Sequence, residues 1–64
     1  MTEGLLTERE AAPYLSLSTV TLQRLRLTGD GPRFAKLGKA VRYRRADLDS
    51  WIESRLTRST SEGA

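Results

Sequence analysis

Gln23 and Arg24 are adjacent in the stretch Ser18–Thr28, with Val20 three residues before the first and four before the second. If that stretch is a helix, Val20, Gln23, Arg24 and Leu27 follow the i, i+3, i+4, i+7 pattern and share one face. The chemistry of that face is hydrogen bonding to flat, edge-on partners. A guanidinium forks onto guanine O6 and N7, a carboxamide onto adenine N6 and N7, and a valine can touch a thymine methyl. A second reading of Val20 and Leu27 makes them core residues of a well-buried helix.

The surrounding charge supports a polyanionic partner. Residues 16–45 carry Arg24, Arg26, Arg33, Lys36, Lys39, Arg42, Arg44 and Arg45 against Asp30 alone, a net of +7. The flanks are each −2: Arg9 against Glu3, Glu8 and Glu10 before it, and Arg55 and Arg58 against Asp47, Asp49, Glu53 and Glu62 after it. A basic middle between acidic ends marks a polyanion-binding surface rather than a uniformly basic protein. Catalysis finds little material. There is no histidine and no cysteine, so the commonest general base and the usual zinc ligands are missing. Asp47 and Asp49 are two apart on a helix and point to different faces. The serines and threonines fall at caps, in the turn and in the tail. The expectation is a non-enzyme with no cofactor and no metal. The longest apolar runs are two residues, so no leader or membrane span is expected, and the chain is read as soluble and cytoplasmic.

The elements that must hold these residues are legible in order. Sixty-four residues allow one domain, which buries only about 60% of its unfolded surface. Met1–Gly4 reads as frayed, residues 5–56 as the folded unit and 57–64 as a disordered tail. Thr7-Glu8-Arg9-Glu10 matches a capping box, with Leu6 and Ala11 as its hydrophobic staple, so a first helix starts at Glu8. Ala11, Ala12 and Leu15 form its apolar face. Pro13 near its sixth position predicts a kink or a short helix. Tyr14 either packs, the favoured reading, or presents its hydroxyl to a phosphate. Ser16-Leu17-Ser18 is a turn, with Leu17 plugging the core and Ser18 capping a second helix from Thr19 to about Thr28. Gly29 ends that helix. Leu22 and Leu25 should face the first helix.

Phe34–Leu37 and Ala40–Tyr43 read as two short strands around a Gly38-Lys39 turn. Leu37, Val41 and Tyr43 are expected to point inward, Lys36 and Arg42 outward, with Lys39 at the tip. Such a hairpin is a basic wing beside the second helix. A third helix begins at Arg44–Asp47. Arg44 is a poor cap, offset by Asp47 at the positive end of the dipole. Leu48, Trp51, Ile52 and Leu56 make its apolar stripe. Trp51 is expected to be the largest core contributor, its replacement by alanine costing about 3–5 kcal/mol. The fold class is mostly α with a small hairpin, a winged helix-turn-helix.

Four motifs together resemble one family. They are LT-x-x-E-AA at Leu6–Ala12, S-x-x-T-L at Ser18–Leu22, K-L-G at Lys36–Gly38, and V-R-Y-R-R-A-D-L-D-x-W at Val41–Trp51. The string closely resembles small winged helix-turn-helix proteins of the excisionase type, within the MerR-like DNA-binding superfamily, over about Leu5 to Leu56. The resemblance implies a recognition helix in the major groove using Ser18, Thr19, Val20, Gln23 and Arg24, with Arg26 near the backbone. It also implies a wing of Lys36, Lys39 and Arg42 on phosphate or minor groove, and Arg44, next along the same run, is counted with them. Pro13, Val20 and Leu25 depart from the family pattern, the last two at places where relatives carry a basic residue and a tryptophan. The implied partner is double-stranded DNA, with an integrase and further copies on adjacent sites as possible companions, and the protein sits on the nucleoid when bound. No small-molecule effector is implied, since no long dimerisation helix or effector domain follows the third helix. The implied function is that of a recombination directionality factor that bends DNA to promote excision of a mobile element. A transcriptional regulator with the same contacts is the alternative, and a basic protein-interaction module a distant one.

Overall fold

Thr7 supplies the first fixed point. In the computed structural model, which describes residues 4–57, its hydroxyl accepts the Glu10 backbone N–H at 3.1 Å. The Glu10 carboxylate accepts the Thr7 N–H at 2.9 Å, closing the capping box. The helix it starts, α1, spans Glu8–Tyr14 and contains Pro13, so it is short, as the proline predicts. It ends in a Schellman pattern, with the Leu17 N–H on the Ala12 carbonyl and the Ser16 N–H on that of Pro13, both at 2.9 Å. Ser16 takes the left-handed conformation there (φ 59), a role that glycine fills at lower cost. Leu17 is half-buried.

The second helix, α2, spans Thr19–Thr28. The Ser18 hydroxyl caps it by accepting the Thr21 N–H at 3.0 Å, and Gly29 (φ 83) ends it. Leu22 is fully buried and Leu25 half-buried, the two facing inward as their spacing requires.

Two short strands follow, β1 (Ala35–Leu37) and β2 (Ala40–Arg42), paired antiparallel around Gly38-Lys39 with Gly38 at φ 66. Both strands are one residue shorter than expected. Phe34 lies outside the ladder, and Tyr43 pairs instead with Leu6, exchanging two N–H···O bonds of 2.8 Å. The register sets Leu37 against Ala40 and Lys36 against Val41. Paired residues share a face, so the expected orientations of Lys36 and Leu37 are reversed. Lys36 lies on the side of Val41 and Tyr43, and Leu37 on the side of Arg42, where it is 53% exposed. A two-residue turn dictates this pairing, because its flanking residues must face each other.

The third helix, α3, spans Arg45–Ser54. Arg44 makes no side-chain cap bond but forks onto the Asp47 carboxylate at 2.7 and 3.0 Å. Leu48 is fully buried, yet the stripe it begins leaves the core: Ile52 is 37% and Leu56 66% exposed. Trp51 is only half-buried, so it is not the main core residue. Its indole N–H donates to the Asp30 carbonyl at 2.9 Å. The Arg55 guanidinium lies 5.3 Å from the ring centroid and donates to the same carbonyl at 2.7 Å. Trp51 therefore clips the loop after α2 onto α3.

The core is Ala11, Ala12, Leu22, Tyr43 and Leu48, with Leu6, Leu15 and Val41 packed against it. Tyr43 is its largest side chain. The architecture is three helices and a two-stranded wing, a winged helix-turn-helix. No helix among the described residues is long and apolar enough to cross a membrane. The expected tail, apart from Thr57, lies outside the described residues, as does the expected frayed start apart from Gly4.

Candidate nucleic-acid interface

The outward face of α2 follows from what its inward face holds. With Leu22 seated against α1, Val20 is 61% and Leu27 73% exposed, which removes the core reading of both. Thr19, Gln23 and Arg24 are exposed on the same helix, and among the described residues Arg24 makes no ion pair. Ser18, at the foot of the helix, has its hydroxyl in the cap, where it also donates to Thr21 Oγ1 at 2.9 Å. The result is a face with two flat polar groups and two apolar groups, none of them in an ion pair among the described residues.

Arg26 is different. Its Nε donates to Glu8 Oε2 at 3.0 Å, and both side chains are about four-fifths covered. The hydrogen bond with Glu8 raises the guanidinium pKa above its ordinary value, against the cost of burial. The same Glu8 oxygen accepts the Tyr43 hydroxyl at 3.3 Å. Burial first, and the Glu8 charge second, push the Tyr43 pKa up to about 12. Phe34 completes the group: its ring centroid is 5.9 Å from the Arg26 guanidinium and 6.1 Å from the Tyr43 ring, tilted by 52°. This cluster joins α1, α2 and the two ends of the hairpin. Arg26 thus holds α2 in place, and one cation of the basic segment faces inward.

In the wing, Lys36 and Lys39 are exposed and make no ion pair among the described residues. Arg42 is half-buried and donates to the Val41 carbonyl at 2.9 Å. The Thr7 N–H and hydroxyl are the main reason the Glu10 carboxyl is held below its ordinary range, and Arg42 and Arg45 add to the effect. Arg44 is exposed at 60% of its side chain, but its fork is occupied by Asp47. That fork holds the Asp47 carboxyl below its usual range and raises the arginine.

Tyr14 neither packs nor offers a free hydroxyl. It is 42% exposed and donates to Asp49 Oδ1 at 2.7 Å, which ties α1 to α3 and pushes the phenol upward. The sequence signalled no such tie, because the two residues are 35 apart. Two exposed residues were missed. Arg33, at the foot of the hairpin, lies near enough to Asp47 to lower its carboxyl, and its membership of the basic segment was the available signal. Leu37 was hidden by the assumed register.

The structure thus leaves Val20, Gln23, Arg24 and Leu27 of α2 exposed, and Lys36 and Lys39 of the hairpin exposed, and it withdraws Arg26 into the contacts that join α1, α2 and the hairpin ends. A family model described as a helix-turn-helix domain matches residues 5–56. A comparison with curated proteins finds no match to the chain.

Proposed function

The chain belongs to the helix-turn-helix domain family, a DNA-binding class, and from that premise we propose that it reads double-stranded DNA as an excisionase-type recombination directionality factor of the MerR-like kind. In this reading the exposed face of α2 enters the major groove. Arg24 and Gln23 read base edges, Val20 and Thr19 contact the same edges, and Lys36 and Lys39 hold phosphate. Ser18, Arg42 and Arg44 sit at the margin of the surface. Arg26 acts indirectly, by fixing the helix that carries the readers. The protein performs no chemistry on the DNA. It bends a site near the end of an integrated element and so brings integrase arms within reach of one another.

The single observation that carries the reading is the outward face of α2, with Gln23 and Arg24 exposed between Val20 and Leu27. A fold that leaves four such side chains outward on one helix presents them to a partner. One ten-residue helix touches few base pairs, which favours several copies on adjacent repeats or an integrase beside it.

Footprinting of the purified protein across its source genome tests this. Protection of adjacent repeats beside an attachment site, followed by integrase-dependent excision in vitro, is the expected result. Single protected sites over promoters would reassign the protein to transcriptional control with the same contacts. No protected duplex anywhere would end the DNA-binding reading.

A further inference from the structure

The outward side of the hairpin carries an apolar residue where the fold has no use for one. The register places Leu37 opposite Ala40, with Ala35 and Arg42 on the same face. Its cross-strand partner is an alanine, and it stays 53% exposed. Lys36 precedes it and Lys39 follows it across the turn, both exposed and without an ion pair among the described residues. Between them Gly38 has no side chain, and a Cβ added there meets nothing within 4 Å. The end of the wing is therefore a bare turn with one branched apolar group on its outward face, Lys39 in the turn itself and Lys36 on the opposite face of the strand.

We propose that Leu37 is a minor-groove wedge, inserting between two base pairs while Lys36 and Lys39 engage the phosphates of the two groove walls. The inference rests on the duplex-binding reading and deepens it by naming the residue that bends the DNA. Strands of a hairpin lie about 4.8 Å apart, and the minor groove is about 6 Å wide. Only a narrow end can enter, and Gly38 makes this end narrow. Apolar wedges of this kind unstack a step and kink the duplex. A protein partner fits less well, because lysines are depleted from the dry centre of protein interfaces.

The test uses the full chain and its footprinted duplex. 2-Aminopurine is placed singly at successive positions, end-to-end energy transfer reports bending, and anisotropy reports binding. The wild type is expected to raise 2-aminopurine fluorescence at one step and to shorten the end-to-end distance. Leu37→Gln, of similar size, loses both signals, and Leu37→Met, still apolar, restores them. Thermal melts confirm that both variants fold. Binding and bending with no fluorescence gain at any step would overturn the wedge alone, as would a Leu37→Gln protein that keeps both signals. Absence of binding to every duplex overturns the wedge together with the reading beneath it.

Discussion

Arg24 and Arg26 are two residues apart and carry the same charge, yet α2 sends them to opposite fates. Arg24 faces solvent, and Arg26 is held by Glu8. Spacing made the first legible. The second depended on an acidic partner 18 residues away, which no local pattern announces. Arg24→Ala is expected to relax base preference at one position and to weaken specific binding by about 1–3 kcal/mol, as read in competition binding against single-base variants of the site. An unchanged preference would mean that another side chain does the reading. Tyr43 gives a test of folding chemistry. Its hydroxyl is raised from 10.0 to about 12, so the folded chain keeps a proton that the unfolded chain releases. The stability this gives is complete below about pH 10 and is lost as the pH rises toward about 12. Tyr43→Phe should unfold with a shallower alkaline pH dependence than the wild type in denaturant titrations. Equal slopes would show that the phenol is not the titrating group.

The elements were more legible than the contacts between them. Thr7 and Glu10 announced the start of α1, because a capping box needs only three residues of separation. Ser18 and Gly29 bounded α2 for similarly local reasons. Thr7→Ala is therefore expected to cost about 1 kcal/mol in chemical denaturation. The same change should reduce the loss of stability on acidification. The Glu10 carboxyl is depressed first by the Thr7 N–H, which alanine keeps, and second by the hydroxyl, which alanine lacks; the hydroxyl's part of the stability exists above the ordinary pKa and disappears as the pH falls through the folded value. What failed was the step from strand to register. Apolar character alone puts Leu37 and Val41 on one face, although the two-residue turn requires Leu37 to face Ala40. The i, i+3, i+4, i+8 stripe that begins at Leu48 puts Trp51 in the core, and its size makes it the expected main contributor. α3 instead turns it toward the Asp30 carbonyl, where its N–H finds a partner that a deeper position would have to supply.

At the scale of the whole molecule, a hydrophobic core of five buried residues among those described leaves each of them heavily relied upon. Leu48→Ala is expected to cost about 2–5 kcal/mol, enough in a chain this small to populate the unfolded state at room temperature in a calorimetric or circular-dichroism melt. Charge acts at the same scale. The net +7 between two acidic flanks favours one orientation on a polyanion, and Lys39→Ala should lower affinity about equally on all duplexes and flatten the salt slope by about one. A loss confined to one sequence would mean that the wing reads bases. The charge segregation was visible in the chain, but its effective size was not, since the structure diverts Arg26 to Glu8 and the Arg44 fork to Asp47. The outward face of α2 has a last consequence. Val20, Gln23, Arg24 and Leu27 contribute almost nothing to the core, while Leu22, Leu25 and Arg26 on the same helix hold it in place. On the proposed duplex-binding reading, recognition and folding are thus written in separate letters of one helix. On that reading, such a chain would drift to a new target site by changing four codons without first acquiring compensating mutations, and a library randomised at those four positions should remain largely folded.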